Sequence, residues 1–313
     1  MQIWQRGTSV TPTTTSYSAD RWFAYRGLGG ATVSRQVTND TTNLPFIQYC
    51  ARVARNSGDT STTNIALSQS FESINSITYA GRTVTFSFYA RAGANYSATG
   101  NALQATLGSG TGTDQNITIN FTGYTAVATP SATLTTTWQR FTATGTVPTN
   151  ATQLGVFFQH NPTGTAGAND WFEVTGVQVD IGSVALPFRT YAGTIQGELA
   201  ACQRYYWQSN ANSTIASEAR IAAGSALSTT QVGSIVKLPV TMRVTPSTLT
   251  YSSARVTDDT ANYDGGTLII TNQSSPDVLS LRYTHGSAVF TQYRFYYTGS
   301  TGSGGYIGVS AEL

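Results

Sequence analysis

The stretch "NDWFEVTGVQVDIGS", residues 169 to 183, gathers Asp170, Glu173 and Asp180 beside Trp171 and Phe172 in a chain where 10% of residues are charged. Two carboxylates across a cleft, one with a raised pKa, are what hydrolysis of a glycosidic bond requires. Asp170 and Glu173 are the best local pair, but their spacing speaks against teamwork. Side chains alternate between the faces of a strand, so residues three apart diverge unless a bulge intervenes. Trp171 and Glu173 are expected on one face, continued by Val177, Val179 and Ile181, with Asp170 and Phe172 on the other. The bland alternative is a turn-capping Asp170 and a solvated Glu173.

Other catalytic patterns are missing. His160 and His285 fall in no H-x-x-x-H or H-E-x-x-H spacing, and there is no G-x-S-x-G elbow. "GSGTGTDQ" (108 to 115) precedes a polar strand rather than a helix, so it is no phosphate loop. "VTDDTANYDGG" lacks the EF-hand spacing and reads as a solvated hairpin loop. The chain is therefore expected not to be an enzyme.

Sugar binding asks for less: an aromatic plane and a few planar polar groups to meet hydroxyls. Tyr89, Arg91, Gln104, Phe157 and Gln159 are assigned to the polar face of strands, with His160 at a strand end. Trp22, with Tyr25 and Arg26, is expected on an exposed loop. The competing reading of all these is an ordinary solvated sheet face or a contact to another subunit.

The elements that must carry these residues are strands. The chain has 313 residues, enough for a sizeable core, and its 52 threonines suit pleated surfaces that stay wet without charge. Lys237 is the only lysine and the net charge is +2. With no basic stripe, a nucleic-acid partner is not expected. No run reaches the roughly 20 apolar residues of a membrane helix, so no membrane insertion is expected. The start, "MQIWQRGTSV", has no secretory pattern, and Cys50 and Cys202 lack C-x-x-C spacing.

Period-two runs bounded by Gly, Pro, Asn or Ser recur at 19–27, 30–37, 45–55, 64–72, 82–93, 101–109, 138–147 and 152–161. In the fifth, Val84, Phe86, Phe88 and Ala90 share a face. "TIQGELAACQRYYWQ" (194 to 208) is the one good helix candidate, capped by Thr194 or Gly197, with Leu199, Cys202 and Tyr206 on one face. Strands resume after it. "GSIVKLPVTMRVTP" alternates Val236, Leu238, Val240, Met242 and Val244 inward, with Pro239 marking a sheet edge. The fold class is all-β: an antiparallel jelly-roll β-sandwich (1–192), one short connector helix (193–208), and a smaller C-terminal β-domain (209–313). The aromatic "YRFYY" gives that last domain more apolar surface than one small sheet hides, which points to oligomerisation.

"IWQRGTS", "ADRWFAYRG", "GTAGANDWFEVTGVQVDIGSVALPF", "ELAACQRYYW" and "YIGVSAEL" together resemble a family of bacteriophage tail-fibre and virion structural proteins. Those proteins carry an N-terminal jelly roll similar to carbohydrate-binding modules and galactose-binding-like domains. The resemblance implies a homotrimer on the virion, on the phage tail or outer capsid surface, made in the bacterial host cytoplasm. Its partners would be a host surface glycan and other virion proteins. Because "MQIWQRG" starts almost at the first strand, a tail-tip, adaptor or capsid-decorating protein stands beside a tail fibre. No cofactor is expected. Jelly-roll sugar-binding modules commonly hold a structural calcium near their last strand, which makes Glu173 the metal candidate, with Asp20 and Asp40 as conceivable partners; calcium takes six to eight oxygens, more than one strand supplies.

Overall fold

A computed structural model describes residues 1–119, 121–210, 219–302 and 304–313. The chain divides into two compact units, Met1–Tyr191 together with Leu313, and Ala192–Glu312. Almost every element is a strand, and no helix among the described residues is long and apolar enough to cross a membrane.

Among the described residues the first unit holds thirteen strands: β1 (Ser9–Val10), β2 (Thr15–Tyr17), β3 (Phe23–Arg26), β4 (Ala31–Val37), β5 (Tyr49–Arg55), β6 (Ile65–Ser70), β7 (Thr83–Ala92), β8 (Ala102–Gly110), β9 (Thr125–Ala128), β10 (Ser131–Thr133), β11 (Gln139–Thr146), β12 (Gln153–His160) and β13 (Trp171–Ile181). They form two antiparallel sheets, ordered β1-β4-β5-β13-β7-β11 and β10-β8-β12-β6-β3-β2, with β9 pairing β8. Each strand sends alternate residues inward. Phe86 and Phe88 of β7 meet Phe158 of β12 across the sandwich, with ring centroids 6.0 and 4.9 Å apart. Leu67, Leu107, Leu154, Val53 and Phe172 complete the fully buried core. Burying each such side chain contributes roughly 1.5–3 kcal/mol, which is what fixes the register of every strand.

One irregularity reorders the faces of β13. Its register to β7 slips between Thr175 and Gln178, where Gly176 sits at φ +57°. This extra residue is a bulge, and it inverts the alternation beyond it. Val177 and Val179 therefore pack against the core with Phe172 and Val174, not on the face of Trp171 as the sequence suggests.

The second unit opens with a helix, α2, at Ile195–Gln203; α1 is the single turn Ser73–Ser76 in the first unit. Thr194 caps α2, its Oγ1 accepting from the Gly197 amide at 3.1 Å. Tyr206, expected on the helix, instead opens a strand (Tyr206–Asn210) in a three-stranded sheet with Thr248–Ser252 and Tyr306–Ser310. Among the described residues, a seven-stranded sheet makes up the rest. Its strand Gln231–Lys237 lies between Ala219–Ala226 and Val278–Thr284, so it is internal rather than an edge. Pro239 is compatible with that because it falls past the strand's end, where no ladder bond is needed. Val244 is 43% exposed, so the expected inward alternation stops at Met242.

Candidate functional site

The outer face of the β8–β12–β6–β3 sheet carries a cross-strand row fixed by register: Ser131 opposite Gln104, Gln104 opposite Gln159, Gln159 opposite Ala66, and Ala66 opposite Tyr25. Strands lie about 4.8 Å apart, so this row runs for roughly 20 Å. Gln159 is its hub. Its Oε1 accepts from Asn64 Nδ2 at 2.8 Å, and its Nε2 donates to Asn161 Oδ1 at 2.6 Å and to Gln104 Oε1 at 3.2 Å. Among the described residues, Gln104 Nε2 and Asn64 Oδ1 have no protein partner.

Gln104 and Asn161 are exposed, and both line a groove of about 350 Å³ together with Thr99, Pro130, Ser131 and Thr133. That volume lies at the small end of the roughly 300–1,000 Å³ of small-molecule sites. The half-buried Phe157 sits one row along on the same face, between Ser68 and Thr106. The arrangement offers amide donors and acceptors already locked to each other, with aromatic edges alongside. Such groups match a ligand of many hydroxyls and no charge.

Three of the residues picked from the sequence, Gln104, Phe157 and Gln159, thus share one face. Tyr89 and Arg91 do not join them. They project from the outer side of β7, which belongs to the other sheet. His160 faces inward and is fully buried, following Val156 and Phe158 on the core side of β12. Trp22 is not on an exposed loop: it is 6% exposed and packs 6.2 Å from Phe158, while Arg26 is wholly buried.

His160 belongs to a polar cluster closing one end of the sandwich. Arg55 Nη1 donates to Asp170 Oδ2 at 2.8 Å, and Arg55 Nη2 donates to the carbonyls of Asp59, Ser61 and Gly164. Ser97 holds the other side of Asp170, with its amide at 3.0 Å from Oδ1 and its hydroxyl at 2.7 Å from Oδ2. Tyr96 stacks on the His160 ring, centroids 4.4 Å apart. Burial pushes His160 down to about 4, against the opposing pull of Asp170, so the ring is neutral at pH 7. Asp170 is therefore not a turn cap at the surface. It is the anionic half of a buried pair that ties three loops to the end of the sheet.

Glu173 is likewise not solvated. It is 0% exposed on the outer face of β13, between β5 and β7. Arg52 Nε and Nη2 reach its Oε1 at 2.9 and 2.7 Å, and Arg91 Nε reaches its Oε2 at 2.6 Å. Both oxygens are taken by cations, so a calcium ion would meet two guanidiniums where it needs free oxygen ligands. Asp20 is engaged separately by Gln5, and Asp40 by Thr42 and Asn43. The residues do not fit the candidate calcium at Glu173, and no group of three or more His, Cys, Asp or Glu among the described residues is arranged for a metal.

Sequence reading missed Asn64 and Asn161. Asn161 could have been found, since it continues the outward parity of Phe157 and Gln159. Asn64 reaches Gln159 only through the pairing of β6 with β12, which no local pattern encodes.

No protein-family model and no curated protein matches the sequence. Among solved structures the chain is similar to one described as "CBM4 structure and function", at 22% identity over 52% of this chain and 88% of that one, with a TM-score of 0.35. It is also similar to the enzymatically active domain of bacteriophage CBA120 tailspike protein 4, at 15% identity and a TM-score of 0.34, over 52% of this chain and 19% of that one. A third is the CBM22-1 and GH10 modules of Clostridium thermocellum xylanase 10B complexed with xylohexaose, at 11% identity and a TM-score of 0.33, over 52% of this chain and 26% of that one. The β-sandwich assignment rests on the sheet orders and registers above.

Proposed function

We propose that the first unit binds carbohydrate on the Gln104–Gln159 face, and that the protein uses this face as an adhesin for host surface glycan on a phage virion. One observation carries the binding reading: the exposed amides of Gln104 and Asn161, with the half-buried Gln159 and Asn64, form one hydrogen-bonded array on a rigid sheet, and Gln104 and Asn161 open onto a groove. Amides preset in this way meet sugar hydroxyls without the entropy of ordering long side chains. Binding is proposed rather than cleavage because Asp170 and Glu173, the best carboxylate pair in the sequence, are each saturated by arginine on opposite faces of the sheet.

The virion setting is supported by the resemblance of the "DWFEVTGVQVDIGS" and "AACQRYYW" strings to phage structural proteins. Display as a trimer would multiply weak sugar contacts by avidity. Exposed Phe295, Ile235 and Ile269 in the second unit suit that oligomer.

The test uses labelled full-length protein and host cells, together with their isolated surface polysaccharide. Saturable binding to cells that free polysaccharide competes away is expected. Protein that ignores both sinks the adhesin reading, and binding to polysaccharide-free capsids alone would favour a decorating role.

A further inference from the structure

The opposite sheet carries a second array with different chemistry. Its outer face has a row fixed by register, Ser34 beside Arg52, Arg52 beside Glu173, and Glu173 beside Arg91. Both guanidiniums are braced by aromatics: Arg52 lies 4.2 Å from the Trp171 ring, and Arg91 lies 4.8 Å from the Trp138 ring. A Cβ at Gly93 would stand 2.6 Å from Trp171 Cε2, so the glycine leaves the space that the indole occupies.

Two arginines flank one buried carboxylate; the next acid, Asp40, also acts on Arg91 through its charge, but its oxygens are held by the backbone and side chain of its own turn and form no hydrogen bond to either guanidinium. Arg52 uses Nε and Nη2 on Glu173, and Arg91 uses Nε. Among the described residues Arg52 Nη1 and both terminal nitrogens of Arg91 have no protein partner, and the two side chains remain 29% and 21% exposed. Arg52 already covers a face of Trp171, which makes the indole a brace for the cation rather than a platform for a neutral sugar.

We propose that Arg52 and Arg91 form a subsite for a carboxylated sugar, a uronate-type residue of an acidic polysaccharide. Planar guanidiniums prefer planar carboxylates, and the buried Glu173 holds both forks rigid while leaving Arg52 Nη1 and the terminal nitrogens of Arg91 to donate to a ligand. This inference rests on the reading of the chain as a glycan binder, and adds to it a site on the opposite face for the acidic units of a mixed polymer.

The experiment titrates the full chain with trigalacturonate, with neutral oligosaccharides cut from the host surface polysaccharide, and with inorganic phosphate, at low and high salt. Saturable trigalacturonate binding is expected, weakened about tenfold or more by Arg91→Gln and falling with salt. Arg91→Gln/Glu173→Gln, which leaves no unpaired buried carboxylate, should show the same loss with an unchanged melting temperature. Gln159→Ala should leave this binding in place while weakening that of the neutral sugar at least about tenfold. Trigalacturonate binding without any neutral binding supports this site and contradicts the groove on the other face. No trigalacturonate binding, or binding that both arginine variants retain, overturns the proposal, as does displacement by phosphate at equal concentration.

Discussion

Asp170 and Glu173, three residues apart in the chain, are both sealed from solvent and never meet, because Asp170 is paired to Arg55 between the sheets and Glu173 to Arg52 and Arg91 outside them. The same alternation that separates them gives each a different job. Asp170 anchors loops at the end of the core, and Glu173 organises cations on a surface.

Removing Asp170's partner should be severe. Arg55→Met strands a buried carboxylate and releases the carbonyls of Asp59, Ser61 and Gly164. A loss of about 3–5 kcal/mol is expected, measured by chemical denaturation. Asp170→Asn/Arg55→Met, which removes both charges, should recover part of it.

His160 makes stability pH-dependent. Below the ordinary histidine value of 6.5 the unfolded chain takes up a proton that the folded ring refuses until about 4. Stability is full above pH 6.5 and is lost as pH falls through that window, by about 3 kcal/mol. His160→Phe should flatten this part of the pH profile of the denaturation midpoint, and a profile identical to wild type would remove His160 as its source.

The bulge at Gly176 should not tolerate a side chain. With φ at +57°, and with Tyr89 and Ile47 only 2.8 and 2.9 Å from where a Cβ would stand, Gly176→Val is both strained and crowded. Destabilisation of about 2–4 kcal/mol is expected in thermal or urea unfolding.

Much of this architecture can be read from the sequence, and the limits have physical causes. Each strand's own alternation is local, so Val84, Phe86 and Phe88 declare the core face of β7, and Gln104 and Gln159 declare outward positions. Which sheet a strand joins is a long-range property. Tyr89 and Arg91 therefore look equivalent to Gln159 until β7 is seen beside β13 and β12 beside β8. His160 and Trp22 are different: their parity with Phe158 and Ala24 already places them inward, but polarity and a nearby loop argue for the surface. Glu173 needed partners from β5 and β7, and Val177 needed a bulge that a single glycine among 30 does not announce.

The amide array should behave as a unit. Gln159→Ala removes the half-buried hub of three hydrogen bonds on the outer face of the sheet, so stability should change by less than about 1 kcal/mol while glycan affinity falls at least about tenfold. Paired calorimetry of unfolding and of binding separates the two effects.

The most direct measurement is the response of the side-chain amide NMR signals to an oligosaccharide that the host-surface competition identifies. The NH₂ resonances of Asn64, Gln104, Gln159 and Asn161 are expected to shift together and saturably at one dissociation constant. A titration in which the sugar binds but these four stay fixed while signals elsewhere move would contradict the account.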